Sequence, residues 1–324
     1  MDSRIITAVI AVIGVPALLL GYILLVERLL VLAPERRRAK IRPWLWILPA
    51  MLLLAFFLIY PTIATAIRSF QDKTTAANFI GLANYQYFFS TSGTLVALRN
   101  SFIWLALLTV FAVGGGLLTA ILFDRVRYEP VAKSLLFLPL AISFVGAGVI
   151  WKFMFDYELA GQPQIGTING TLQAIGQQPQ AFLLNAPLNT IWLIIVGAWI
   201  WTGFAMVILS AALKGISPEL LEAARVDGAN ELQVFRGITF PLLLPTIAVV
   251  ATTMIITALK AFDVVYVMTN GAFDTDILAL DMYHQLFDFG QPGRAAAVAT
   301  VLVLLIIPVM IVNVRRFQAQ EAIR

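Results

Sequence analysis

Long uninterrupted apolar runs dominate the pattern of hydrophobic and polar positions along this chain. Residues 51–59, for example, read MLLLAFFLI without a polar side chain. Seven runs are long enough to cross a bilayer, which takes about 20 helical residues. They cover residues 5–32, 44–67, 99–123, 135–155, 188–213, 242–265 and 295–314. Barrel strands would alternate apolar and polar positions, so the pattern predicts an all-α integral membrane protein with about seven transmembrane helices.

Composition supports the same class. Hydrophobic residues make up 60% of the chain and charged residues 12%, whereas soluble domains have roughly 45–50% and about 25%. A soluble or disordered protein is therefore excluded. The chain has no cysteine, so a disulfide or a thiolate nucleophile is excluded too. The first apolar run is longer than that of a signal peptide and lacks a small-x-small cleavage site, so we expect an uncleaved anchor.

Lysine and arginine residues are distributed unevenly between the segments that join the runs. The segments 33–43, 124–134, 214–241 and the C-terminal tail hold 14 of them, including Arg36, Arg37, Arg38, Lys40, Arg42, Arg125, Arg127, Lys133, Arg315, Arg316 and Arg324. The alternating set holds 5: Arg4, Arg68, Lys73, Arg99 and Arg294. The positive-inside rule then predicts an external N-terminus and a cytoplasmic C-terminus.

Two segments on the predicted outer side differ from the other loops in composition or in the spacing of their apolar residues. Residues 161–180 are rich in Gln and Gly. Residues 277–289 carry apolar side chains near helical spacing at Ile277, Leu280, Tyr283 and Phe287. That spacing fits a short helix at the outer membrane interface, and it equally fits an ordinary helix packed within a loop.

The predicted cytoplasmic loop 214–241 contains signals for two short helices. Ser217 followed by Pro218 is a favourable helix start, because the hydroxyl can cap the helix and proline at the first position loses no needed bond. Asp227-Gly228 then predicts a turn. We expect Gly228 to adopt a positive φ, which glycine tolerates without a Cβ penalty.

The second helix of this loop begins at a capping pair, Asn230 and Gln233. Its apolar stripe comprises Leu232, Phe235 and Ile238. Pro241 and Pro245 mark the return to the membrane. An exposed apolar stripe fits contact with a protein partner, and it equally fits a hairpin lying on the membrane surface.

The residues of this loop resemble the EAA motif of ABC importer permeases. The motif residues are Glu222-Ala223-Ala224, Asp227-Gly228-Ala229, Phe235, Ile238, Pro241 and Pro245. Further similarity lies in Trp201-Thr202-Gly203-Phe204, in Thr269-Asn270-Gly271, and in Gly293 with Ala295-Ala296-Ala297. The resemblance covers roughly residues 95–315 and is greatest to the binding-protein-dependent sugar permeases of the maltose type.

This resemblance implies a type I ABC importer transmembrane-domain fold in a bacterial or archaeal plasma (inner) membrane. Residues 44–324 would form the permease domain, and residues 1–43 an additional helix with a basic cytoplasmic loop. The chain would form half of the pathway for a sugar, either an oligosaccharide or a glycoside. It would couple to ATPase subunits through Glu222, Ala223, Ala224, Asp227, Gly228 and Ala229.

The resemblance also implies partners. They are a second homologous permease subunit, two cytoplasmic ATPase subunits and an extracytoplasmic solute-binding protein. The partner ATPases would use ATP and magnesium, while this chain would bind no cofactor or metal and would not be an enzyme. The glycines at 114–116 have no following lysine, as a Walker A loop requires, so we expect them to let two helices approach closely.

Other function classes have less support in the sequence. A zinc hydrolase would need a motif such as H-E-x-x-H, and His284 is the single histidine; we expect it to be an ordinary surface residue. A membrane-embedded transferase needs an acidic cluster, and Asp274, Asp276 and Asp281 share one loop, so this alternative stays open. A passive scaffold or receptor anchor would not account for the two-helix loop.

Polar residues within the apolar runs predict the substrate pathway, because charge in the membrane usually faces the bundle interior. Lys260 and Asp263 are expected one turn apart on one helix face, with Thr252, Thr253 and Thr257 nearby. Lys152 is expected to reach the outer interface. The predicted pathway residues are Trp201, Gly203, Thr253, Thr257, Lys260, Asp263 and Tyr266. Sugar-binding relatives tend to carry Asn near Lys260, so an anionic or other small polar solute, such as a glycerol phosphate, is the alternative.

Overall fold

A computed structural model describes residues 3–31, 34–72, 78–124, 126–159 and 161–321. Its regular elements are helices, and the only bridge between extended residues in these ranges joins Gln71 to Phe79. The all-α prediction is therefore confirmed. Lys73, Arg125 and Arg324, three of the basic residues used to predict the topology, lie outside the described residues.

The chain divides into two compact units between Thr65 and Ala66. The first unit contains α1 (Ser3–Val31), α2 (Glu35–Leu54), a π-helical turn (Ala55–Ile59) and the start of α3 (Tyr60–Arg68). The sequence predicts a basic loop over 33–43, but α2 already begins at Glu35, so most of those residues are helical. The predicted domain boundary at residue 43 stays a prediction.

Arginine side chains from α2 hold the end of α1. Arg38 donates from Nε to the Leu30 carbonyl over 2.9 Å and from Nη2 to the Val31 carbonyl over 3.0 Å. Arg42 forms an ion pair of 2.8 Å with Glu27. The last carbonyls of a helix lack partners within the helix and attract cations, so these bonds terminate α1.

The second unit contains the remaining helices. They are α4 (Ala83–Ser90), α5 (Ser92–Phe123), α6 (Glu129–Phe137), α7 (Phe144–Met154), α8 (Thr167–Ala174), α9 (Leu188–Lys214), α10 (Pro218–Val226), α11 (Glu231–Val234), α12 (Phe240–Leu259), α13 (Asp263–Met268), α14 (Leu278–Tyr283) and α15 (Pro292–Glu321). π-helical turns at Phe235–Thr239 and His284–Asp288 continue α11 into α12 and extend α14.

Helices α5 and α9 form the centre of this unit. A Cβ atom added at Gly116 would lie 2.6 Å from the Cβ atom of Ala205, and one at Gly115 would lie 3.3 Å from Thr202 Cγ2. This confirms that the glycine run lets two helices approach. Trp104 and Leu108 of α5 are buried against Gly197 of α9.

The fourth apolar run is a broken helix. The sequence predicts one span over 135–155, and the structure has there the helices Glu129–Ala141 and Phe144–Met154, which are bent by 100° relative to each other and form a broken span or a re-entrant loop. The break follows Pro139, and Ser143 starts the second helix by accepting a 3.0 Å hydrogen bond from Gly146 N–H. Six described helices are long and apolar enough to cross a membrane, and seven if the bent pair counts as one span.

The sixth run also departs from the prediction. Its span begins at Glu231, earlier than the predicted residue 242, and ends at Leu259 instead of 265. Lys260 is the C-cap of α12, and Asp263 is the first residue of α13. The expectation that these two residues share a face of one helix is therefore wrong.

Candidate functional site

The predicted coupling loop folds as a tight helical hairpin. At the end of α10, Gly228 N–H donates to the Arg225 carbonyl over 3.1 Å, and Ala229 N–H donates to the Ala224 carbonyl over 3.0 Å. These two bonds form a Schellman motif. Gly228 has a φ of +86°, as expected, so the turn that follows α10 depends on glycine at this position.

The start of α11 carries the predicted capping pair. Asn230 accepts from Gln233 N–H over 3.0 Å, and the Gln233 side chain accepts from Asn230 N–H over 2.8 Å. Arg225 of α10 forms a 2.8 Å ion pair with Glu231 of α11. Local hydrogen bonds on both sides of the turn thus fix the angle between the two helices.

One detail of the hairpin differs from the prediction. The Ser217 hydroxyl accepts no backbone N–H of α10 and so does not cap it; instead it donates to the carboxylate of Glu219. This bond lowers the pKa of Glu219. Pro218 still occupies the first position of the helix, where its missing N–H leaves no unsatisfied donor.

The hairpin exposes apolar side chains. Val226 is 87% exposed, and Leu220 and Leu232 are also exposed. Of the predicted stripe, only Leu232 is exposed. Phe235 and Ile238 are half-buried, and the Phe235 ring lies 5.8 Å from that of Phe240. The motif residues line the same hairpin: Glu222, Ala223, Asp227 and Gly228 are exposed, and Ala224 and Ala229 are half-buried.

A charge cluster that sequence reasoning missed lies beside the start of this loop. Glu129 of α6 forms ion pairs with Lys133 and, over 2.6 Å, with Lys214 at the end of α9. Lys133 also donates to the Ser210 hydroxyl. The i,i+4 spacing of Glu129 and Lys133 is a visible signal, but the approach of Lys214 depends on tertiary structure.

A cavity of about 220 Å³ lies at the other end of α12, a full span away from the hairpin. Its lining is aromatic and charged. It comprises Trp104, Leu108, Phe144, Gly197, Ile200, Trp201, Thr257, Lys260, Ala261, Phe262, Asp263 and Val264. Four of the predicted pathway residues, Trp201, Thr257, Lys260 and Asp263, are therefore brought together.

The other three predicted pathway residues lie elsewhere. Gly203 packs against α6, since a Cβ atom there would lie 2.3 Å from the Leu136 carbonyl oxygen. Thr253 donates to the Val249 carbonyl over 3.1 Å within α12. Tyr266 stacks on Phe262, with ring centroids 5.1 Å apart. Their assignment to the pathway stays a prediction.

The polar groups around the cavity are available to a ligand. Lys260 is exposed, and within the part of the chain that the structure describes no ion pair joins it to Asp263. The buried Nε1 of Trp104 also lacks an acceptor among the described residues. Neither Trp104 nor Phe144 was identified from the sequence, because their apolar neighbours make them look like ordinary core residues.

The segment after α13 is held by amides from two other helices. Asn100 of α5 donates to the carbonyls of Asp274 and Asp276 over 2.6 and 2.8 Å, and Asn189 of α9 donates to the Phe273 carbonyl over 2.7 Å. Phe273 and Asp274 have positive φ angles of 57° and 60°. These bonds fix a strained segment at the end of the unit that carries the cavity.

Of the acidic residues of this segment, Asp281 is buried, Asp276 is half-buried and Asp274 is exposed. Burial and the charge of Asp281 raise the pKa of Asp276 to about 7. Asp276 Oδ1 accepts a 2.8 Å bond from Ile277 N–H. In the described ranges no group of three or more potential ligands could hold a metal.

The helix predicted within 277–289 is present, as α14 and its π-helical turn. Ile277, Leu278 and Leu280 are buried against the rest of the unit, so of the two interpretations the packed helix fits better. His284 is paired with Asp288 over 2.5 Å. Lys152 donates to the Val267 carbonyl over 3.3 Å and lines a second cavity, not the one at Lys260 and Asp263.

Comparison with known proteins gives consistent matches. The profile of the family described as "binding-protein-dependent transport system inner membrane component" matches residues 112–317. The osmoprotective compounds uptake permease protein GgtC of Synechocystis sp. is 48% identical, over 86% of this chain and 100% of that protein. The alpha-glucoside transport system permease protein AglF of Rhizobium meliloti is 45% identical, over 85% of this chain and 82% of that protein.

A solved structure is similar over nearly the whole chain. It is the crystal structure of a bacterial ABC transporter involved in the import of the acidic polysaccharide alginate. The TM-score is 0.72 at 26% sequence identity, covering 88% of this chain and 99% of that chain.

Proposed function

Because the chain belongs to the family of inner membrane components of binding-protein-dependent transport systems, we propose that it is the permease subunit of an ATP-driven importer for a glycoside. The resemblance to EAA-motif permeases is confirmed by this family membership. The chain forms half of the translocation pathway, and the cavity at Lys260 and Asp263 receives the solute. The N-terminus is external and the C-terminus cytoplasmic, as the basic residues predict.

The hairpin at α10 and α11 carries this proposal. Its Schellman motif, capping box and Arg225–Glu231 ion pair make it rigid, while Leu220, Val226 and Leu232 remain exposed. A rigid element with an uncovered apolar face can transmit a movement from a bound partner to the membrane helices. The partner is a cytoplasmic ATPase subunit, which supplies the hydrolysis of ATP with magnesium.

The residues that line the cavity suit a polyhydroxylated solute. Aromatic rings of Trp104, Phe144 and Trp201 face a space that also has a cation, a carboxylate and a threonine hydroxyl. Such a mixture suits a sugar, whose C–H faces contact aromatic rings and whose hydroxyls both donate and accept. The names of the relatives, one for alpha-glucosides and one for osmoprotective compounds, favour a small glycoside over an anionic solute.

The complete importer contains further chains. A second homologous permease subunit completes the pathway, two ATPase subunits bind the cytoplasmic face, and an extracytoplasmic binding protein delivers the solute. This chain itself binds no cofactor. Family membership supports partners of this kind, and the exposed hairpin is the surface of this chain that we expect to bind the ATPase.

Co-purification and transport test the proposal together. The tagged chain is expressed with its partner permease and ATPase, and the purified complex is placed in vesicles with ATP inside and binding protein outside. We expect ATP-dependent uptake of radiolabelled maltose. Val226→Asp should reduce the co-purified ATPase several-fold, because it places a charge in an apolar contact, whereas Val226→Leu should not. Equal recovery of ATPase with both variants would contradict the proposed contact.

A further inference from the structure

An aromatic cluster extends from the cavity towards the far end of the unit. The rings of Phe262 and Tyr266 are stacked, with centroids 5.1 Å apart and planes inclined by 15°. Tyr283 of α14 packs against both, at 5.5 Å from Phe262 and 5.4 Å from Tyr266. Phe287 continues the series at 4.8 Å from Tyr283. We call Phe262, Tyr266, Tyr283 and Phe287 the aromatic track.

The two ends of the track lie in different surroundings. Phe262 lines the cavity beside Lys260 and Asp263. Phe287 is 67% exposed, and Tyr266 is 39% exposed. The exposed parts of these two rings are not covered by this chain, so they can contact another molecule. The track thus joins the exposed ring of Phe287, through Tyr283, to the ring of Phe262 that lines the cavity, with centroids 4.8 and 5.5 Å apart.

Polar groups border the outer end of the track. His284 and Asp288 are paired over 2.5 Å on the π-helical turn that also carries Phe287. Asp288 keeps about half of its side chain exposed, so its oxygens can accept further hydrogen bonds. π-helical turns are rare and frequently occur at functional sites. Aromatic faces next to a carboxylate form the combination that suits a pyranose ring.

We propose that Tyr266, Tyr283 and Phe287 form an outer subsite that binds one pyranose ring of the solute before it reaches the cavity. This inference rests on the proposed function. The apolar face of the ring contacts Phe287 and Tyr266, and its hydroxyls donate to Asp288. From there the solute reaches Phe262, whose ring belongs to both the track and the cavity, without losing aromatic contact.

Direct binding of maltose to the complex tests the subsite. The purified complex, held with a non-hydrolysable ATP analogue and without binding protein, is dialysed against radiolabelled maltose. Phe287→Leu and Tyr266→Leu should each raise the dissociation constant roughly three- to tenfold, since each removes an aromatic surface that contacts the sugar ring. Tyr266→Phe keeps the stacked ring and should stay close to the wild type.

Phe289→Leu is the matched control. Phe289 is 62% exposed and makes no ring contact with another aromatic side chain in the described part of the chain. Its variant should bind maltose as the wild type does. Equal maltose binding by wild type, Phe287→Leu and Tyr266→Leu would overturn the subsite, as would an equal loss in the Phe289 control or a wild-type complex that imports maltose but does not bind it.

A second measurement separates the subsite from a docking surface and from the proposed function. In vesicles, the concentration of maltose-loaded binding protein that gives half-maximal uptake should change less than about twofold in Phe287→Leu. A change in this concentration with unaltered maltose binding would assign Phe287 to protein docking and overturn the subsite. If the wild-type complex imports no maltose at all, the proposed function fails and the subsite falls with it.

Discussion

Lys260 ends one helix and Asp263 begins the next, and both line the same cavity. The interruption between α12 and α13 places a cation and a carboxylate at the end of a membrane-spanning helix. Helix ends and unwound backbone beside a cavity are typical of solute sites in transporters.

This arrangement predicts that the pair acts on the solute. Lys260→Met and Asp263→Asn should each lower maltose uptake roughly tenfold, because a charged hydrogen bond to a buried ligand is lost. The ATPase rate stimulated by loaded binding protein should persist, since the hairpin is untouched. Lys152→Met, which removes an ammonium group outside this cavity, is the control. Unchanged uptake in both cavity variants would remove the pair from the solute site.

The left-handed turn at Gly228 predicts a coupling defect. Gly228→Val should abolish uptake. A β-branched residue at a φ of +86° is strained by at least about 1–2 kcal/mol. The effect would come from the backbone conformation and not from a clash, because no atom lies within 4 Å of the new Cβ. Gly228→Asn should retain much more uptake, since asparagine adopts this conformation more readily. Gly237→Ala, another position without a Cβ contact within 4 Å, controls for the added side chain. Full uptake in Gly228→Val would show that the hairpin is not the coupling element.

The raised pKa of Asp276 predicts that the stability of the folded chain depends on pH. Its pKa is raised to about 7 in the folded chain from 3.8, so the folded state binds the proton more tightly than the unfolded state. The stabilisation that Asp276 gives to the folded state is therefore complete below about pH 4 and is lost as the pH rises through about 7. The folded complex should therefore become less stable to heat as the pH rises from about 5 to about 8.

Asp276→Asn isolates this effect, because it keeps an oxygen for Ile277 N–H but cannot ionise. Its unfolding temperature should vary less with pH than that of the wild type. Asp274→Asn, at an exposed neighbour, should follow the wild type. A parallel pH profile for Asp276→Asn and wild type would show that this carboxyl does not titrate in that range.

The topology can be tested with single cysteines, since the native chain has none. Lys40→Cys and Gln177→Cys replace exposed side chains on opposite predicted sides of the membrane. An impermeant thiol reagent should label position 177 in intact cells and position 40 only after permeabilisation. Labelling of position 40 from outside would reverse the orientation that the basic residues predict.

The hairpin could be predicted from the sequence because its determinants are local. Gly228 follows α10 directly, and Asn230 lies three residues before Gln233, so each hydrogen bond joins near neighbours in the chain. The breaks at Ser143 and at Lys260 could not be placed in this way. Both lie within runs whose average hydropathy stays high, and average hydropathy gives the length of a span but not the position of a bend.

The cavity was only partly predictable for a related reason. Thr257, Lys260 and Asp263 stand out as polar residues in an apolar run, and Trp201 lies in a motif. Trp104 and Phe144 carry no such signal, because their place beside the cavity comes from the packing of α5 and the bend before α7. Gly203 was assigned to the pathway from its motif, whereas its contact with α6 follows from tertiary structure.

The contact between Gly116 and Ala205 leaves no clearance between two of the longest helices of the unit. A rotation or slide of α5 against α9 would drive backbone into backbone, so the pair has no independent degree of freedom at this crossing. Any change in the width of the cavity must therefore come from the other elements that line it. Trp104 and Gly197 belong to this close-packed pair, whereas Phe144 follows the break at Ser143 and Lys260 follows the end of α12, so these last two residues line the cavity from outside the pair.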